Sequence, residues 1–189
     1  MTASGNDQRE HAVFIPLGLR EIISEMGSLL VVNIVVSFTL QKEFDISNGY
    51  SYNGKKFSGL IRKVGSKTLL IFRSGKVNVT GVVSLMEAID LIETVFPEQK
   101  ITQHRISNMT TSFMLPVKID NQRLLENCKS IQYEPECFPG MYWRQPGSRI
   151  IVIFFHSGKG IITGSSNYVD LYESYLLFLN EVSKFRQAI

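Results

Sequence analysis

Two stretches of this sequence are near copies of one another. IFRSGKVNVTG at residues 71–81 matches FFHSGKGIITG at 154–164, and the glycines of their SGK triplets, Gly75 and Gly158, stand 83 residues apart. Other landmarks return in the same order. Phe57 precedes Gly75 by 18 residues and Phe138 precedes Gly158 by 20, while Asn33-Ile34-Val35 corresponds to Asn108-Met109-Thr110 at an offset of 75. Ordered landmarks at near-constant spacing mark an internal duplication. A chain of 189 residues written this way should fold as two α+β halves related by a pseudo-twofold axis. Their antiparallel sheets would join edge to edge, with helices covering one face. The other face must then be solvated or covered by a partner.

Local signals fit that plan. Residues 1–27 form an N-terminal extension, with a polar tail at 1–12 and a short helix expected over 16–26 between Pro16 and Gly27. The first repeat is placed at 28–99 and the second at 100–189. LLVVNIVVSFTL at 29–40 is rich in β-branched residues and reads as a strand. Further strands are expected at 57–64, 68–73 and 76–80, with Gly75 supplying a tight hairpin. Ser84 and Glu87 have capping-box spacing, and Leu85, Ala88, Ile89, Ile92 and Val95 mark one helical face before Pro97. The series then repeats: strand-like runs over 101–119, and a helix capped by Asp120 that runs through Leu124, Leu125 and Cys128. Strands follow at 138–145, 149–156 and 159–163. Asn167 with Asp170 opens a last helix whose apolar stripe includes Leu171, Tyr175, Leu179 and Val182.

Composition narrows the function classes. Two cysteines, Cys128 and Cys137, are too few for a disulfide framework or a four-cysteine zinc site. No apolar run is long enough to span a membrane, and the polar N-terminus is unlike a secretory signal, so an intracellular protein with no membrane partner is expected. The formal charge of +3 conceals a polarised distribution. Residues 55–76 hold seven basic side chains and no acidic one, residues 137–165 hold Arg144, Arg149 and Lys159 and again no acid, and residues 84–96 hold three acids and no base.

The doubled phenylalanine, SGK and TG pattern, with Tyr133-Glu-Pro-Glu-Cys-Phe-Pro-Gly140, resembles the TATA-box-binding protein family, as a divergent member, over residues 28–187. The resemblance implies a saddle: a curved ten-stranded antiparallel sheet with four helices on its convex face. The underside of that saddle binds and bends promoter DNA through the minor groove. It assigns Phe57, Phe72, Phe138 and Phe155 as wedges between base steps. An aromatic wedge replaces lost base stacking with apolar contact. The base-edge set it implies is Asn33, Val35, Asn78, Thr80, Asn108, Thr110, Ile161 and Thr163. Within it the two asparagines Asn33 and Asn108 match donors to A·T acceptors, and Val35 and Ile161 supply smooth apolar surface. Lys56, Lys63, Lys76, Arg144 and Lys159 flank the wedge strands as phosphate contacts. Glu134 and Glu136 match acids that meet transcription factor IIB. The implied partners are double-stranded DNA, a transcription factor IIB-like protein and the RNA polymerase machinery of a preinitiation complex. The implied location is the nucleus, or a viral transcription compartment if the chain is viral. No cofactor is implied.

Departures from the family pattern are informative. Asn78 and Thr110 stand where the underside normally carries valine, which makes the reading surface more polar. Residues 41–54 are short relative to the family, so a helix expected there is reduced or missing. The stretch 84–96 is acidic where the family's helix is basic and meets transcription factor IIA, which puts that contact in doubt. Two alternatives carry different signatures: a protein-interaction factor of the same fold with weak or altered DNA binding, and a non-catalytic nucleic-acid-binding subunit of an enzyme. Catalysis by the chain itself has little support. Neither SGK triplet sits in a GxxxxGK[ST] frame, and His156 next to the second triplet is replaced by Arg73 at the first.

Overall fold

In the computed structural model, which describes residues 29–45, 59–115, 117–145 and 147–187, the duplicated segments pair into one antiparallel sheet. Phe57, Lys56 and the helix expected over 16–26 lie outside the described residues. The strands are β1 (Leu30–Leu40), β2 (Leu60–Val64), β3 (Lys67–Ile71), β4 (Lys76–Val82), β5 (Ile101–Met114), β6 (Ile131–Gln132), β7 (Met141–Arg144), β8 (Ile151–Phe154) and β9 (Lys159–Ser165). The helices are α1 (Leu85–Val95), α2 (Asn121–Asn127) and α3 (Tyr168–Val182), followed by a 3-10 turn at Ser183–Phe185. Ten strands and four helices were expected; the described residues form nine strands and three α-helices.

Strand order is β2-β3-β4-β1-β5-β9-β8-β7-β6. It reads outward from the β1–β5 seam as the same series on both sides, with β6 added at the far edge. The seam is the longest pairing of the sheet, running from Leu30↔Ser112 to Leu40↔Ile101. The pseudo-twofold expected from the sequence therefore passes between β1 and β5.

Period-two alternation gives the sheet one apolar face. Ile34, Val36, Phe38 and Leu40 of β1, Leu69 and Ile71 of β3, and Val77 and Val79 of β4 are buried together under Ala88, Leu91 and Ile92 of α1. A second core gathers Phe113, Met141, Trp143, Val152, Phe154 and Ile162 under Leu171, Tyr175, Phe178, Leu179 and Val182 of α3. Each fully buried valine, leucine, isoleucine, phenylalanine or methionine side chain among these contributes about 1.5–3 kcal/mol. Met109, on the seam, packs against both cores. Leu29, just before β1, belongs to the second core, and the Tyr168 hydroxyl donates to its carbonyl at 3.2 Å.

The caps follow the sequence. Glu87 N–H donates to Ser84 Oγ at 3.2 Å, and Val83 N–H donates to the Glu87 carboxylate at 2.8 Å. Asp120 and Asn167 cap α2 and α3 in the same way. Gly75 and Gly158 adopt φ of 80° and 83° in equivalent hairpins. Gly75 N–H donates to Phe72 O, and Gly158 N–H to Phe155 O. The short α2 buries Leu124 and Cys128 and leaves Leu125 exposed. Two local expectations need correction. The 101–119 runs are one 14-residue strand up to Met114. Phe138 and Phe155 lie just outside β7 and β8, in the loop and turn that precede or follow them.

Glu181 ties the second core together. It accepts from Trp143 Nε1 at 2.6 Å and from Cys128 Sγ at 2.9 Å. Desolvation works to raise its carboxyl, but hydrogen bonds from Cys128, Trp143 and Ser130 and the nearby Lys184 charge outweigh it and hold it below the ordinary carboxylate range. Burial and the same carboxylate push the Cys128 thiol up to about 11.

Candidate nucleic-acid interface

Because Val77 and Val79 point into the first core, Asn78 between them projects from the face that carries no helix. The same logic places Val35 and Thr80 there in the first half, and Thr110, Ile161 and Thr163 in the second. All are half-buried, as sheet-surface residues with an open side should be.

Asn33 and Asn108 occupy matching positions with matching bonds. The Oδ1 of Asn33 accepts from Gly81 N–H at 2.8 Å and from the Thr80 hydroxyl at 3.2 Å. The Oδ1 of Asn108 accepts from Gly164 N–H at 3.1 Å, and its Nδ2 donates to Thr163 Oγ1 at 2.9 Å. In each half the asparagine fixes the strand end at the TG dipeptide. Gly81 and Gly164 both have positive φ there, 86° and 110°. Thr110 adds a hydroxyl to the second cluster, 3.0 Å from Thr163 Oγ1. Its polar atom is therefore occupied within the sheet. No side-chain hydrogen bond to Asn78 is found among the described residues.

Three of the four expected wedges are described, and none belongs to either core. Phe138 and Phe155 are half-buried with ring centroids 5.9 Å apart, and Phe138 lies 5.4 Å from Tyr142. They stand over Gly140, where an added Cβ would meet Phe138 Cε1 at 2.5 Å and Phe155 Cε1 at 3.1 Å. Glycine is thus needed at 140 for this ring arrangement. Phe72 holds the equivalent turn of the first half and lines a hollow of about 540 Å³ with Ser37, Thr39, Lys76 and Asn78. A matching hollow of about 480 Å³ in the second half is lined by Leu30, Ser112, Met114, Phe155, Lys159 and Ile161.

Lys63, Lys76, Arg144 and Lys159 are exposed, and Lys76 and Lys159 open β4 and β9 at equivalent places. Lys67, not among the candidates, instead pairs with Glu87 at 2.9 Å. The Val83 N–H and then Lys67 hold the Glu87 carboxyl below its ordinary value.

Glu134 and Glu136 are exposed in the loop before β7. The Glu134 carbonyl accepts from Cys137 and Phe138 N–H at 3.0 Å each, so the acidic loop also fixes the backbone at Phe138. His156 has a bracing role that its position in the sequence did not suggest. Asn121 Nδ2 donates to its Nδ1 at 2.7 Å, and its Nε2 lies 3.0 Å from the Tyr133 hydroxyl, tying α2 and the acidic loop to the Phe155 turn. Ser37, Leu30, Arg105, Ile153 and Tyr142 also stand on or beside this face. They carry no motif and emerge only from strand register. Among the described residues, no group of histidine, cysteine or carboxylate side chains could hold a metal.

Comparison with known proteins agrees with this geometry. The family model described as transcription factor TFIID (or TATA-binding protein, TBP) matches twice, at residues 28–100 and 103–185. A TATA-box-binding protein of Aeropyrum pernix is 31% identical over 160 residues, covering 76% of this chain and 79% of its own length. One from Methanococcus maripaludis is 32% identical over 163 residues, covering 77% and 88%. The solved structure of Methanococcus jannaschii TBP superposes with a TM-score of 0.73 at 28% identity, covering 84% of this chain and 99% of the other.

Proposed function

Since this chain belongs to the TATA-box-binding protein family, we propose that the helix-free face of its sheet grips promoter DNA in the minor groove and bends it. The chain is a TATA-box-binding-protein-like general transcription factor, and its work is binding, not catalysis. DNA and the transcription machinery are its partners in general terms. The repeats at 28–99 and 100–189 form the two flanks of a saddle. Phe57 with Phe72, and Phe138 with Phe155, wedge two base steps. Asn33, Asn108, Thr80 and Thr163 meet base edges beside Val35, Thr110 and Ile161. Lys56, Lys63, Lys76, Arg144 and Lys159 take phosphates. Glu134 and Glu136 receive a transcription factor IIB-like partner. The protein works where its genome is transcribed: a nucleus, or the corresponding viral compartment.

The observation that carries this reading is the Phe138–Phe155 pair, half-buried on the helix-free side and held over a glycine. Core packing does not account for these rings, since the second core is filled by the neighbouring Phe154. A wedge role does, because unstacking a base step requires an apolar edge presented outward.

The test is a fluorescence and electrophoretic bend assay on TATA-like and random duplexes. The wild type should bend the preferred duplex, and Phe57→Ala and Phe138→Ala should each reduce both affinity and bend. Equal affinity and bend for all three proteins would remove the wedge assignment. Partner binding without any bend would favour a protein-interaction role.

A further inference from the structure

Strand register lays one row of side chains across the helix-free face of each half. In the first it runs Leu70, Asn78, Ser37, Arg105, through the pairs Leu70↔Asn78, Ser37↔Asn78 and Ser37↔Arg105. In the second it runs Ile153, Ile161, Ser112, Leu30, through Ile153↔Ile161, Ser112↔Ile161 and Leu30↔Ser112. The two rows are the same row under the pseudo-twofold. Ser37 and Ser112 are identical, and Leu70 and Ile153 are both apolar. The chemistry differs at two places: Asn78 faces Ile161, and Arg105 faces Leu30.

This difference has a direct meaning in a minor groove. There, G·C differs from A·T chiefly by the guanine N2 amino group, a donor that projects into the groove. Ile161 offers that group no acceptor and would bury it unpaired, which carries a penalty. Asn78 offers Oδ1 as an acceptor for N2–H, and its Nδ2 can donate to the adjacent N3. Its amide is held by no other hydrogen bond among the described residues, whereas Thr110, the other polar replacement on this surface, bonds to Thr163. The polar half also carries Arg105, whose charge suits the negative groove; the apolar half carries Leu30, which is 64% exposed.

We infer that Asn78 is a specificity-determining residue that reads a guanine amino group, so that this protein takes a G·C pair under its first half and A·T pairs under its second, in one orientation. The inference rests on the minor-groove reading above and adds a sequence preference and a polarity to it.

The test uses the full chain and a panel of A·T-rich duplexes. Each carries one G·C pair, or one inosine·C pair that lacks only the N2 amino group. At one position, wild type should bind the guanine duplex more tightly than its inosine twin, by roughly tenfold for a well-formed bidentate pair. Asn78→Val, which copies the apolar character of Ile161 on a strand, should reverse that preference. Everywhere under the second half guanine should bind more weakly than inosine. A cleavage reagent tethered to the exposed Cys137 should cut only toward the end remote from the guanine. Guanine and inosine binding equally at every position in the wild type, which needs no variant to fold, would overturn the inference while leaving minor-groove binding intact. So would equal cutting at both ends. Binding to none of the duplexes would overturn it together with the reading beneath it.

Discussion

At the residue scale, the hydrogen bonds around Glu181 make a measurable claim. Trp143 is the chain's single tryptophan, so its fluorescence reports on the core that Glu181 serves. Glu181→Leu leaves the Trp143 N–H buried without an acceptor and should cost about 1–3 kcal/mol in urea unfolding followed by that fluorescence. The thiols give a second test. Cys137 is exposed and should react with iodoacetamide in the folded protein; Cys128 is buried and should react only on unfolding. The Cys128 thiol titrates at about 11 in the folded chain against 9.0 for an ordinary thiol. The folded state therefore keeps a proton that the unfolded state gives up. Its stabilising effect is complete below pH 9.0 and is lost as pH rises through about 11, and Cys128→Ala should flatten that alkaline decline in melting temperature. Gly140→Ala should leave the melting temperature nearly unchanged yet weaken DNA bending, since the new Cβ displaces Phe138 before it disturbs the core.

At the element scale, the caps carry the clearest energetic expectation. Ser84→Ala removes the acceptor for the Glu87 N–H at the start of α1 and should cost about 1 kcal/mol in thermal or chemical denaturation. This helix, like α3, was legible in the sequence because capping spacing and apolar period agree at the same place. Gly75 and Gly158 were legible for a similar reason: a turn at positive φ leaves glycine as the natural residue. Much less of β5 could be read. Thr102, Gln103, His104 and Arg105 are exposed and show no alternation, and they are in a strand because β1 lies beside them. β6 is two residues defined by pairing with Tyr142 and Trp143. Of the candidate site, the asparagines and TG dipeptides were visible as repeats. The bond between Thr110 and Thr163, which separates Thr110 from Asn78 in character, depends on register and was not.

At the scale of the molecule, basic residues stand on both halves, and the proposed binding should be steeply salt-dependent. Each phosphate contact contributes a slope of about −0.9 in log affinity against log salt, so Lys76→Ala and Lys159→Ala should each reduce the slope by about one. Equal slopes for wild type and variants would remove those two lysines from the phosphate set. The β1–β5 seam has a further consequence. It joins equivalent strands antiparallel across a dyad, and such an edge is self-complementary. A lone repeat would thus present an edge able to dock on its twin, at a rate governed by how much of it is present. The short connection from Phe96 to Lys100, pinned by Gln41 N–H on the Lys100 carbonyl, makes that encounter unimolecular. Tethers this short set local molarities in the millimolar range, so assembly of the joined chain should be indifferent to dilution where its severed halves would drift apart.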